Sequence, residues 1–232
     1  MYKKLQPINK IEDKNKGIKE VKSFSYAKEQ ISVPLAITEF YEACKDYPIL
    51  FAKDLNGSWM ATAMLGYKEK ENLFIDEEGV WEKQRYIPAH IRRYPFIYVN
   101  NTETQELTLA VDGDYKSEDT KDEVRKLFLE DGTNSEFLNG VLRFLNQFHG
   151  DALATEKFIK QLESWELLEE KVAKIVTPDG KNYNINGFYV VNEEKLKHLS
   201  KKKRDAIWDK NVMPLIIAHL ISLSNIQKIG VK

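Results

Sequence analysis

Cysteine is almost missing from this 232-residue chain: Cys44 stands alone, so no internal disulfide can form and a reducing compartment suits the protein. Glycine is sparse, and its 11 residues fall singly into turns. Neither G-x-x-x-x-G-K-[ST] nor G-x-G-x-x-G occurs, which excludes the common phosphate-cradling loops. The four histidines, His90, His149, His198 and His219, lie far apart with no H-x-x-x-H spacing and no cysteine pair, so the grammar of a zinc site is absent. Asp112-Gly113-Asp114 opens like a calcium loop, but Lys116 stands at a ligand position and Ser117 where a glycine is required. No G-x-S-x-G elbow is present, and no base sits near Cys44 in sequence. No cofactor and no metal are therefore expected, and the sequence names no reaction.

Long apolar runs are lacking too. The longest, residues 212–223, is interrupted by Pro214 and His219 and falls short of the roughly 20 residues that span a bilayer. The opening MYKKLQPINK has lysines without an apolar stretch behind them, so no Sec signal is seen. The expected location is the cytoplasm, with export by another route left open. A net charge of −1 gives no overall attraction to nucleic acid, and none is expected as a partner.

What is present is the composition of a folded protein: 42% hydrophobic and 31% charged, which argues against disorder over most of the length. Residues 1–18, rich in Lys, Asn and Asp, read as a loosely packed lead-in, and residues 19–232 as one domain. A first strand is expected over 21–26 and a short helix over 38–45, where Ile37, Phe40, Tyr41 and Cys44 recur at helical spacing. Asn56-Gly57 predicts a hairpin of 48–54 with 59–66. A short strand at 73–75, a helical turn opened by Pro88 and a strand pair at 96–99 and 107–111 follow. Helical periodicity then predicts helices over 119–130, 134–148 and 155–168. Pro178-Asp179-Gly180 closes a second hairpin, Asn192 caps a helix, and a last helix runs over 201–227, bent at Pro214. The class is α+β: an antiparallel sheet of hairpins in the N-terminal half, helices following, a late hairpin and a C-terminal helix.

Residues 72–96 concentrate aromatics, arginines and a histidine. Arg85, Tyr86, His90, Arg92, Arg93 and Tyr94 form the candidate binding cluster, and His219 joins it as a candidate. Arginine forks beside aromatic rings suit a carboxylate, a phosphate or a peptide segment. The competing account is structural: an arginine pairs with Asp76 or Glu77 and props a turn, while the rings fill core. His219, between Ala218 and Leu220, reads as a hydrogen-bonded core histidine. The run Lys201, Lys202, Lys203, Arg204 reads as a solvated helix face.

An ordered set of short motifs gives a resemblance: Val33-Pro34-Leu35, Tyr47-Pro48-Ile49, Leu65-Gly66, Asn72-Leu73-Phe74, Gly79-x-Trp81, Tyr86-Ile87-Pro88-Ala89 and Arg92-Arg93-Tyr94-Pro95-Phe96, then Gly187-Phe188-Tyr189 and Ala218-His219-Leu220 with Ser222-Leu223. In this order they resemble the SapC family, bacterial proteins named for a gene in a surface-layer (S-layer) protein locus. The resemblance covers about residues 20–228 and carries no agreed catalytic residues. It implies an accessory or binding protein acting on a protein or peptide partner in surface-layer production or export. An enzyme with a His/Arg pocket at 85–96 and a structural surface-layer subunit are the alternatives.

Overall fold

Among the described residues three antiparallel sheets form, and each is completed by residues distant in sequence. The computed structural model describes residues 1–100, 106–118 and 124–232. Along them run β1 (Leu5–Pro7), β2 (Gly17–Lys19), β3 (Ser32–Leu35), α1 (Phe40–Ala43), β4 (Ile49–Lys53), β5 (Trp59–Met64) and α2 (Ala89–Arg92). Then come β6 (Phe96–Asn100), β7 (Leu107–Asp112), β8 (Lys116–Ser117), β9 (Val124–Lys126) and the long helix α3 (Glu136–Ser164). The chain ends with β10 (Leu168–Val176), β11 (Asn182–Val191), α4 (Glu193–Lys197), α5 (Lys201–Asp209), α6 (Met213–Ser222) and α7 (Asn225–Gly230). The strand orders are β1-β7-β6, β10-β11-β4-β5-β3 and β8-β2-β9, the α+β architecture that the residue patterns predict.

The five-stranded sheet grows from its two turns. Gly57 takes φ +80°, open to glycine without steric cost, and the Asp54 carboxylate accepts from the backbone N–H groups of Asn56 and Ser58. The β4–β5 register then runs from Ile49↔Ala63 to Lys53↔Trp59. Alternation puts Ile49, Phe51, Trp59, Ala61 and Ala63 into the larger core, where Phe158, Ile159 and Leu162 of α3 also lie. Gly180, at φ +80°, turns β10 into β11 in the same way.

Helix α3 connects two cores. Its C-terminal half serves the larger one, and Leu138 and Leu145 near its start serve a smaller one with Ile18, Phe96, Val111, Leu127 and Phe128. The two helices expected at 134–148 and 155–168 are this single helix. Between them lies only one weak breaker, Gly150, which costs a helix about 1 kcal/mol, and both flanks are fixed by burial. The Ser135 hydroxyl accepts from Leu138 N–H at 3.1 Å and starts it.

Several local expectations give way to tertiary pairing. Residues 119–123 of the helix expected at 119–130 lie outside the described residues, and residues 124–126 form β9 against β2. The strand expected over 21–26 is a 3-10 turn at Ser25–Ala27, and 73–75 contributes one isolated bridge, Ile75↔Trp81. The helix expected over 201–227 is three helices, with Pro214 in the first turn of α6, where its missing N–H is harmless. The chain bends by 89° between α5 and the α6–α7 segment.

Residues 1–18 contribute two short strands and a buried ion pair. β1 pairs with β7, β2 pairs with β8 and β9, and Asp13, 1% exposed, accepts from Lys116 Nζ at 2.8 Å and pairs with Lys16 Nζ at 3.1 Å. Polar composition hides this, because the partner that makes Asp13 burial affordable lies 103 residues away. Asp13→Ala should destabilise the fold by about 3 kcal/mol, since it strands the Lys116 ammonium. Urea unfolding measures this, and Asp13→Ala/Lys116→Met should recover most of the loss. Equal midpoints for wild type and Asp13→Ala would show that the pair holds nothing.

Candidate functional site

Two buried or near-buried carboxylates fix the backbone that carries the arginines. Glu39, 5% exposed, accepts through Oε1 from Tyr86 Oη at 2.9 Å and from Ala89 N–H at 2.7 Å, and through Oε2 from Ala36 N–H at 2.9 Å. It thereby satisfies an orphan N–H in the first turn of α2. Asp46 accepts from Tyr86 N–H at 2.8 Å and from Arg85 Nη1 at 3.0 Å. The Tyr47 hydroxyl donates to Tyr86 O and accepts from Trp81 Nε1 at 3.3 Å. Arg85 is thus a prop, as the structural account expects, but its acids are Asp46 and Glu82 rather than Asp76 or Glu77. Asp76 is occupied within its own turn, accepting from Val80 N–H at 2.7 Å.

Arg92 and Arg93 are held differently. Arg92 is exposed; its Nε donates to Ile87 O at 2.9 Å and its Nη2 to Tyr86 Oη at 3.3 Å, with the guanidinium 5.5 Å from the Phe144 ring centre. Arg93 is half-buried over the Phe148 ring at 5.1 Å, with the Tyr2 hydroxyl beside it. Its Nε is buried with no hydrogen-bond partner among the described residues, and burial lowers its pKa. His90 packs 6.4 Å from Phe148, where burial and then the Arg93 charge push its pKa down to about 3. It is therefore neutral at pH 7 and too weakly basic to take a proton there. Tyr94 donates to Asp112 Oδ2 at 2.8 Å and stacks on Tyr26 at 3.8 Å, and burial raises its pKa.

A cleft of about 570 Å³ lies between α2–β6, β2 and the first half of α3. Arg92, Arg93 and Tyr94 line it; Arg92 also lines a neighbouring hollow of about 240 Å³ with Tyr86, Glu39 and Phe144. Arg85, His90 and His219 line neither. Missing from the sequence reading are Arg125, Phe137, Val141 and Phe144, all of which line the cleft. The α3 residues show only as helical periodicity, which marks an apolar face without saying what covers it.

His219 lies elsewhere and is completely buried. Val191 N–H donates to its Nε2 at 3.0 Å, so the ring proton sits on Nδ1 and is donated to Ile49 O at 2.8 Å. The ring stacks on Phe51 at 4.5 Å, and burial pushes its pKa down to about 4. Cys44 donates its thiol to Tyr41 O at 3.4 Å, and burial raises its pKa, which disfavours the reactive thiolate. Among the described residues no cluster of three or more His, Cys, Asp or Glu could hold a metal. No single helix among them is long and apolar enough to cross a membrane.

Stability should depend on these histidines. Both pKa values lie below the ordinary 6.5, so the unfolded chain binds protons that the fold refuses. The stabilisation is complete above pH 6.5 and falls as pH drops toward 4 and then 3, by about 1.4 kcal/mol per pH unit for each ring. Urea titrations between pH 4.5 and 7 test the slope, which His90→Gln should roughly halve. A flat profile would show that both rings become charged inside the fold.

No curated protein and no solved structure matches the chain. The model of the SapC family matches residues 8–229, from just after β1 into α7, and so takes in the cleft, the Glu39 and Asp46 props and the His219 contact. This chain belongs to the SapC family.

Proposed function

We propose that this SapC-family protein is a non-enzymatic accessory protein that binds a segment of a partner protein in the cleft between α2–β6 and α3. The observation that carries the reading is the cleft itself: apolar walls from α3, with arginines on its border held by carbonyl oxygens, hydroxyls and rings. The tyrosines of the cluster and its histidine are committed to other work. Tyr86 is bound to Glu39, Tyr94 to Asp112, and His90 is a very weak base. A cleft lined by held cations and apolar side chains, with no histidine or cysteine among its described lining residues, suits recognition better than proton transfer.

The association with surface-layer production or export rests on the family, whose members are linked to surface-layer loci. Such a helper acts in the cytoplasm or beside a secretion apparatus. A photo-crosslinking residue at Phe137, inside the cleft, tests this in the native cell, with exposed Leu55 at the β4–β5 turn as the control position. Phe137 should yield an adduct with a surface-layer protein or a component of its export, identified by mass spectrometry, and Leu55 should not. The same adducts from both positions, none from Phe137, or turnover of a small molecule by the purified protein would overturn the proposal.

A further inference from the structure

The walls and cations of the same cleft also constrain the chemistry of what enters it. On α3, Phe137, Val141, Phe144 and Leu145 recur at helical spacing and form one stripe along the cleft. Guanidinium groups stand over the two ends of this stripe. Arg125 is 5.4 Å from the Phe137 ring centre and Arg92 is 5.5 Å from that of Phe144. Arg93 also borders the cleft, with the Tyr2 hydroxyl beside its guanidinium and its Nε buried without a partner among the described residues.

The acidic side of the cleft is weak by comparison. Among the described residues Arg92 and Arg93 have no carboxylate partner. Arg125 reaches Glu20 only at 4.0 Å, and Glu136 on the rim is drawn to Arg143 at 3.5 Å. Positive charge beside apolar, poorly hydrated walls attracts anions more strongly than the same charge in open water. Arginine forks also match carboxylates in two-point geometry.

Spacing decides between kinds of anion. Seven residues separate Phe137 from Phe144, about 10 Å along a helix, so the arginines over these two rings suit two separate anionic groups better than one compact headgroup. An extended chain rises about 3.3 Å per residue, and carboxylates two to four residues apart cover that distance. Glu20 and Glu136 on the rim oppose a phosphate backbone, which carries negative charge at every step.

We propose that the cleft binds a short acidic–apolar segment of the partner protein, with aliphatic or aromatic side chains on the α3 stripe and two Asp or Glu carboxylates on Arg92 and Arg125. This rests on the reading that the partner is a protein. The occupant is an extended strand of a few residues, because about 570 Å³ holds several side chains and no folded domain.

Selection from a random dodecapeptide display library on the immobilised full chain tests both statements. Enriched peptides should carry two acidic residues two to four positions apart with Leu, Ile or Phe between them. Synthetic copies, followed by fluorescence anisotropy, should bind Arg92→Gln/Arg125→Gln about ten-fold more weakly and lose most of their salt dependence. Both arginines are exposed, so an unchanged urea midpoint will show that this variant folds. Val141→Trp, which fills the cleft, should abolish binding of the same peptides. Enrichment of neutral or basic peptides that Val141→Trp still blocks would overturn the acidic assignment and leave the protein-partner reading standing. If no peptide is blocked by Val141→Trp while oleate or phosphatidylglycerol vesicles bind, both fall.

Discussion

The late hairpin joins the central sheet through side chains of α6 more than through a strand ladder. β11 and β4 meet at one register pair, Tyr189↔Phe51. Beside it, Ile49 turns both of its backbone groups to the helix: its N–H donates to Ser222 Oγ at 2.9 Å and its carbonyl accepts from His219 Nδ1. Val191 N–H, on the other strand, donates to His219 Nε2. One imidazole therefore bridges two strands, and it can do so only while neutral, because a second ring proton would meet the Val191 N–H head-on. Ser222 completes the arrangement by donating to His219 O at 2.5 Å. The motif Ala218-His219-Leu220 with Ser222 thus has a mechanical meaning, since it replaces strand pairing where β4 and β11 diverge.

Sheet continuity in turn positions α3. With β11, β4 and β5 held in one layer, Phe51 and Phe158 pack edge to face at 6.2 Å, and the C-terminal half of α3 is fixed on that surface. The helix then extends past the edge of the larger core, so its first half lies against the small sheets. There the apolar stripe is broader than Ile18, Phe96, Val111 and Leu127 can cover. The cleft is the uncovered remainder of a helix whose direction is set elsewhere.

Signals confined to a few residues were legible in the sequence. Asn56-Gly57 and Pro178-Asp179-Gly180 gave two hairpins, Pro88 gave α2, and Asn192 gave α4, where its side chain accepts from Lys195 N–H at 2.8 Å. The unread features depend on distant partners. Lys116 lies 103 residues beyond Asp13, β9 is a strand because β2 pairs with it, and α3 runs through Gly150 because side chains on both sides of it, Leu145 and Phe158 among them, are buried. The arginine cluster was visible as composition, but the acids that prop it, Glu39 and Asp46, are 47 and 40 residues from Tyr86. Arg125 gave no local sign of meeting Phe137 on a different element.

Those props also remove the opposition between the two accounts of residues 85–96. Glu39 and Asp46 fix Tyr86 from both sides, by its hydroxyl and by its backbone N–H, and Glu39 holds the first turn of α2 through Ala89. Arg92 in turn leans on Tyr86 Oη and Ile87 O, two atoms of the same fixed segment. A long arginine side chain normally loses rotamer freedom when it binds an anion, at a cost of about 0.5–1.5 kcal/mol. Here neutral oxygens set its orientation in advance, and a carboxylate could meet a guanidinium already in place. The bonds that make this segment look structural are the ones that would make its arginine effective in binding.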